Sequence, residues 1–97
     1  ENVIKNINSE LDIIIDDGSH QGSHQAFSFI FLNKYLSKNG IYIIEDIQPE
    51  NINNFLDLSI FPSYYKDYIN DNYYIKYFDT RHILNRADDF MVCFIRK

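Results

Sequence analysis

Two short apolar runs constrain the fold of this chain more than any other feature, because residues 11–17 and 41–45 are both dominated by isoleucine. Runs of this kind are typical of strands that are buried on both faces of a parallel sheet. The segment between them, from about His24 to Ser37, is rich in apolar residues at helical spacing. The sequence therefore predicts a βαβ unit, in which the helix crosses between two parallel strands.

Acidic residues follow both predicted strands. Asp16 and Asp17 end the first run, Glu45 and Asp46 end the second, and His20 lies three positions after Asp17. In open parallel sheets, ligands bind outside the carboxyl ends of the strands. If the two strands are neighbours, we expect Asp17, Glu45 and Asp46 to converge at one edge of the sheet, with His20 beside them.

The second half of the chain predicts one more helical region and a hairpin. Residues 51–60 have a helical apolar pattern, and Pro62 interrupts it before a further helical turn that runs through Ile69. Residues 73–78 and 90–95 read as two strands, and the short segment between them favours antiparallel pairing. The predicted order is β-α-β-α-β-β, which is an α/β fold whose parallel strands end in an antiparallel hairpin.

Composition limits the classes of function. The 97 residues suffice for one domain, and the net charge of −5 with scattered basic residues argues against a nucleic-acid-binding protein. No apolar stretch is long enough for a membrane helix and no signal peptide is visible, so we expect a cytoplasmic protein without a membrane partner. The single cysteine, Cys93, excludes a disulfide within the chain.

The acidic residues suggest a metal site. Three carboxylates at neighbouring strand ends suit Mg²⁺, which prefers oxygen ligands and completes its coordination with water or substrate oxygens. Such a metal lowers the pKa of a bound hydroxyl, and His20 is then placed to remove the proton. The alternative is that these acids only face water or cap helices. Asp16 is the weaker ligand candidate, because side chains alternate along a strand and Asp16 points away from Asp17.

A set of motifs resembles a known family. The residues Asp16-Asp17-Gly18-Ser19-His20, the pair His24-Gln25 and the run from Asn39 to Asp46 together resemble class I S-adenosylmethionine-dependent methyltransferases. The resemblance is to the metal-dependent sugar O-methyltransferases of macrolide biosynthesis, of the macrocin and mycinamicin type. Asn39 stands where that family usually has the first of two glycines, and asparagine tolerates the left-handed conformation that a turn there needs.

The resemblance implies a Rossmann-like methyltransferase sheet and a role for each matched residue. The implied Mg²⁺ ligands are Asp17, Glu45 and Asp46. His20 is the implied general base that deprotonates a hydroxyl of a small-molecule acceptor, in this family a sugar. Asp16 and Gln21 are expected near the cofactor, S-adenosylmethionine.

The resemblance covers about residues 11–46, and residues 1–10 contain no glycine-rich turn of the kind that begins such domains. We therefore expect residues 1–97 to form a single partial domain, the C-terminal half of a catalytic domain from its fourth strand onward. The N-terminal cofactor-binding half would be absent, and the chain alone would be inactive. Residues 11–17 would then form an open sheet edge, which favours association with a second copy or a missing half.

Two other interpretations stay open. The chain is a non-catalytic α/β interaction module if its acids are only solvated. It is a different Mg²⁺ enzyme, such as a phosphoryl-transfer or hydrolase domain, if the same carboxylates serve another reaction.

Overall fold

The structure, a computed structural model, describes residues 11–17 and 21–97. Its first half contains strand β1 (Leu11–Asp16), helix α1 (Gly22–Leu32), a 3₁₀ turn (Asn33–Tyr35) and strand β2 (Leu36–Ile44). Its second half contains a 3₁₀ turn (Pro49–Asn51), helix α2 (Ile52–Leu56), helix α3 (Ser63–Asn72), strand β3 (Tyr73–Asp79), helix α4 (Arg81–Leu84) and strand β4 (Phe90–Arg96). The predicted order of strands and helices is confirmed, with the short helix α4 as an addition.

The four strands form one mixed sheet in the order β1-β2-β4-β3. Strand β1 pairs parallel with β2, and β4 pairs antiparallel with both β2 and β3. The parallel pair and the terminal antiparallel hairpin are therefore confirmed, and the fold is α/β. Strand β1 lies at the edge of the described sheet, as predicted for residues 11–17.

The first helix ends earlier than the prediction that extended it to Ser37. Helix α1 stops at Leu32, and the buried Asn33 begins the 3₁₀ turn. The Asn33 side-chain amide donates to the carbonyl oxygens of Phe29 at 2.7 Å and of Ile30 at 3.1 Å. The Phe29 carbonyl also accepts the backbone amide of Asn33, so Asn33 donates from both its backbone and its side chain to the last turn, where the helix ends.

The second strand begins at Leu36, five residues before the predicted start at Ile41, because it contains an irregularity. The register between β1 and β2 shifts between the Leu11–Leu36 pair and the Ile13–Ile41 pair. Asn39 takes the left-handed conformation with φ of 68°, as expected from its place in the motif. A Cβ atom on Gly40 would lie 2.8 Å from Cγ of Leu36, so only glycine fits beside Asn39.

The core lies on one face of the sheet. Ile14, Tyr42 and Phe94 are neighbours across β1, β2 and β4, and all three are buried. Phe29 of α1 packs on this row, with ring centroids 4.8 Å from Tyr42 and 4.5 Å from Phe94. Buried residues of α2 and α3 complete the layer. A single layer of helices therefore covers this face.

The opposite face of the sheet is apolar and open to solvent in the described part of the chain. Ile13 and Ile15 of β1 are 57% and 55% exposed, and Tyr74 and Phe78 of β3 are 60% and 51% exposed. All-parallel sheets are usually covered on both faces, whereas antiparallel sheets often leave one face open, and this sheet contains both kinds of pair. Among residues 11–17 and 21–97, no helix is both long and apolar enough to cross a membrane.

Candidate metal centre and adjoining cleft

Three carboxylates meet where β1 and β2 end. Each of Asp17, Glu45 and Asp46 offers an oxygen atom, and these atoms all lie within 4.8 Å of one another. Asp17 is exposed, whereas Glu45 and Asp46 are half-buried. The parallel pairing of β1 with β2 brings the two strand ends to the same edge of the sheet, so the predicted convergence of these three acids occurs.

The backbone hydrogen bonding between β1 and β2 continues one residue beyond the end of β2. The amide of Glu45 donates to the carbonyl oxygen of Asp16 at 3.1 Å, which continues the parallel ladder. Because side chains alternate along strands, Asp17 lies on the same face as Ile15, and Glu45 on the same face as Ile43. The register therefore places the first two carboxylates side by side.

The turn after Glu45 brings the third carboxylate to the same place. Asp46 has φ of 55°, a left-handed conformation that residues with a Cβ atom adopt infrequently. Immediately after it, the amide of Ile47 donates to the carbonyl oxygen of Phe90 at 3.0 Å. Nε2 of Gln25, on α1, donates to the carbonyl oxygen of Glu45 at 3.1 Å. Hydrogen bonds to three separate elements thus hold this turn.

The electrostatics of the cluster fit a cation. Burial raises the pKa of Glu45 above its usual value, and the negative charges of Asp17 and Asp46 raise it further. A divalent cation relieves this repulsion between carboxylates, and three hard oxygen donors are the kind of ligand set that Mg²⁺ takes. The residues present therefore fit the metal that the sequence predicted.

Asp16 lies outside the cluster, on the other face of the sheet. It pairs with Ile44 in the parallel register and shares its face with the buried Tyr42. Burial, and secondarily the charge of Asp16, raise the pKa of the Tyr42 hydroxyl. The prediction that Asp16 and Asp17 point in opposite directions is confirmed.

The other candidate residues surround the start of α1. His20 lies outside the described residues. Gln21 is exposed and directly precedes α1, where its carbonyl oxygen accepts the amide of Gln25 at 3.0 Å. His24 is exposed in the first turn of the helix. Of these residues of α1 and its start, Gln25 reaches the cluster, through its bond to the carbonyl oxygen of Glu45.

A cleft of about 410 Å³ opens beside Glu45 and Asp46. Its other lining residues come from the connection between β3 and β4 and from the start of β4: Thr80, Ile83, Leu84, Arg86, Asp89, Phe90 and Met91. Within the cleft, Nε of Arg86 donates to a carboxylate oxygen of Asp89 at 3.0 Å, so two residues of the connection between β3 and β4 are bonded to each other. The cleft thus has an acidic wall and an apolar wall.

Sequence reasoning missed this second wall. Ile83 and Leu84 on α4 are 64% and 63% exposed at the cleft. The signal was their adjacency, since two large aliphatic residues interrupt an otherwise polar segment. Neither strand nor helix periodicity placed them next to Glu45, because four residues are too few for a helical pattern.

Comparison with known proteins finds two short similarities. The 8-demethyl-8-alpha-L-rhamnosyl tetracenomycin-C 2'-O-methyltransferase of Streptomyces olivaceus is 45% identical over 38 residues, which are 39% of this chain and 10% of that protein. The L-olivosyl-oleandolide 3-O-methyltransferase of Streptomyces antibioticus is 49% identical over 35 residues, 36% of this chain and 9% of that protein. No protein-family model matches the chain, and no solved structure does.

The matched stretches span about a tenth of the length of these curated relatives. Both relatives are O-methyltransferases by name, so a stretch of this chain is similar to methyltransferases of that kind. The similarity is confined to less than half of the chain.

Proposed function

We propose that this chain is part of the catalytic domain of an S-adenosylmethionine-dependent O-methyltransferase that methylates a hydroxyl group of a sugar. The observation that carries the proposal is the cluster of Asp17, Glu45 and Asp46 at the carboxyl ends of two parallel strands. The names of the two relatives support the reaction, since each is an O-methyltransferase whose named substrate carries a sugar, rhamnosyl in one and olivosyl in the other.

In this proposal the three carboxylates of the cluster hold Mg²⁺. When bound there, the ion supplies positive charge that lowers the pKa of the acceptor hydroxyl. His20, three residues after Asp17, takes the proton from that hydroxyl as general base. Bound S-adenosylmethionine would supply the methyl group, and this chain would contribute by holding the deprotonated acceptor oxygen in position for the transfer.

The cofactor is proposed to approach from the side of Asp16 and Gln21. The acceptor is proposed to lie in the cleft, because the cleft begins at Glu45 and Asp46 and offers apolar contacts from Ile83 and other residues. Its volume of about 410 Å³ lies within the range of small-molecule sites.

The same proposal assigns the chain to the C-terminal half of a methyltransferase domain, from the fourth strand onward. Two features support it: the parallel pair followed by an antiparallel hairpin, and the position of β1 at an edge where a further parallel strand fits. The cofactor-binding half would then come from another part of the protein.

Titration of Mg²⁺ into the full chain tests the proposal. We expect wild type to bind Mg²⁺, and Asp17→Asn to weaken binding at least about tenfold, because it removes a charged ligand. Asp67→Asn is the matched control, since Asp67 is an exposed acid on α3 outside the cluster and the charge change is the same. Equal binding by wild type and Asp17→Asn would contradict the proposal.

A second candidate function, a non-catalytic interaction module, is favoured by the exposed apolar face of the sheet. Ile13, Ile15, Tyr74 and Phe78 form the kind of surface that marks a protein interface. In that case the acids are only solvated, and Asp17→Asn leaves both Mg²⁺ binding and partner binding unchanged. The same titration therefore separates the two functions.

A further inference from the structure

We infer that Gln25 is a positioning residue for the carboxylate cluster: its side chain fixes the turn that carries Glu45 and Asp46. This inference rests on the proposed function, because it assigns Gln25 a role in metal binding at that same site. Gln25 is on α1, 20 residues away in sequence from the group it contacts, the carbonyl oxygen of Glu45.

The burial of Gln25 is what first sets it apart. Gln25 and Asn33 are the buried polar side chains of the described residues, and the exposed fraction of Gln25 is 0%. A buried amide is costly unless it is hydrogen-bonded. The Asn33 amide is hydrogen-bonded within α1 and to nearby tyrosines, whereas Nε2 of Gln25 donates across to the residue that follows β2.

The contact falls at the point where the cluster is built. Both backbone groups of Glu45 are hydrogen-bonded: its amide donates to Asp16 of β1, and its carbonyl accepts from Gln25 of α1. The next residue, Asp46, is in the left-handed conformation with φ of 55°. The Gln25 bond thus restrains the peptide between Glu45 and Asp46, which sets the direction of the Asp46 carboxylate relative to the other two.

The remaining anchor of the turn lies one residue further on, where Ile47 donates to Phe90. Without the Gln25 bond, the peptide between Glu45 and Asp46 is free to rotate while both flanking anchors remain. Rotation there moves the Asp46 carboxylate away without unfolding the sheet. Groups that orient metal ligands in this way usually contribute about 10- to 100-fold to metal affinity.

The variant Gln25→Met tests the inference, because methionine fills a similar volume and donates no hydrogen bond. We expect Mg²⁺ affinity to fall about tenfold or more, and the amide of Ile47, which donates to Phe90 at the end of the turn, to exchange faster with solvent in the metal-free protein. Ile69→Val is the control: it removes a methyl group from a fully buried core residue on α3, outside the turn. We expect it to lower the free energy of unfolding and leave Mg²⁺ affinity unchanged.

A measurement on the wild-type protein tests the inference without depending on whether a variant folds. Because the bonded carbonyl belongs to a metal-ligand residue, added Mg²⁺ is expected to shift the NMR resonances of the Gln25 side-chain amide and not those of Asn33. Unchanged Gln25 resonances at saturating Mg²⁺ would overturn the inference, as would wild-type affinity in Gln25→Met. Both results require Mg²⁺ binding that depends on Asp17. If that binding is absent, the proposed function fails instead, and exchange of the Ile47 amide in the metal-free protein alone decides whether Gln25 holds the turn.

Discussion

At the scale of single residues, Glu45 connects the stability of the protein to its proposed chemistry. Its carboxyl group has a pKa above the usual value because of burial and because Asp17 and Asp46 oppose its charge. The folded protein therefore binds this proton more tightly than the unfolded chain does. Such strained carboxylate groupings are common at functional sites, where ionisation is unfavourable until a ligand arrives.

Opposite pH dependences follow for stability and for metal binding. As the pH falls through the raised pKa of Glu45 toward 4.5, its contribution to the free energy of unfolding of the metal-free protein increases, because the folded state gains the proton first. Over the same interval Mg²⁺ affinity falls, because the ion competes with that proton. Urea unfolding and Mg²⁺ titration across this interval measure both trends.

The variant Glu45→Gln isolates the contribution of Glu45 to the pH dependence of the free energy of unfolding. Glutamine does not titrate, so the contributions of the other acids cancel when the free energy of unfolding of Glu45→Gln is subtracted from that of wild type. A difference in stability that does not change with pH would show that Glu45 titrates as it does in the unfolded chain, contrary to this expectation.

At the scale of elements, Asn33 decides where α1 ends and β2 begins. Its amide nitrogen donates to Phe29, Ile30 and the hydroxyl of Tyr65, and its oxygen accepts the hydroxyls of Tyr68 and Tyr73 at 3.3 and 3.0 Å. One side chain thus joins the end of α1 to α3 and to the first residue of β3. This contact network orients the helical layer on the sheet.

Replacement of Asn33 by alanine is expected to lower the free energy of unfolding by about 3 kcal/mol, because it breaks a largely buried network and removes the acceptor of the buried Tyr73 hydroxyl. Urea unfolding measures the change. Asn53→Ala is the control, since Asn53 is exposed on α2 and the substitution costs less than about 0.5 kcal/mol. If Asn33→Ala lowers the free energy of unfolding no more than the control does, the hydrogen-bond network of Asn33 does not contribute to stability.

Asn33 also explains which elements the sequence could predict. The two isoleucine runs, the helix between them and the terminal hairpin were predictable, because their periodicities are local. The end of α1 was not, because the apolar spacing continues through Leu36 while partners on α3 and β3, distant in sequence, stop the helix. The convergence of Asp17, Glu45 and Asp46 was predictable because two parallel neighbours always end at the same edge. The role of Gln25 and the apolar wall of the cleft depend on tertiary contacts, which the spacing of residues in the sequence does not reveal.

At the scale of the whole molecule, the two faces of the sheet differ. One face is buried under α1, α2 and α3, and the other presents exposed isoleucine and aromatic side chains. The exposed face adjoins β1, whose outer edge offers unpaired backbone groups in the described sheet. Under the proposed function, the cofactor-binding half covers this surface. A second copy of the chain is the competing occupant, through the same edge.

Two lysine substitutions on neighbouring residues of β1 test this difference between the faces. Ile15→Lys places a charge on the open face, where Ile15 is 55% exposed, and is expected to change the free energy of unfolding by less than about 0.5 kcal/mol. Ile14→Lys places the same charge in the core, where Ile14 is 8% exposed, and is expected to unfold the chain. Circular dichroism and urea unfolding measure both effects, and sedimentation of wild type and Ile15→Lys shows whether the chain self-associates and whether the substitution prevents it. Unfolding of Ile15→Lys as severe as that of Ile14→Lys would mean that the outer face is already covered within the folded protein. If wild type self-associates, a folded Ile15→Lys chain that is monomeric would show that a second copy packs on this face.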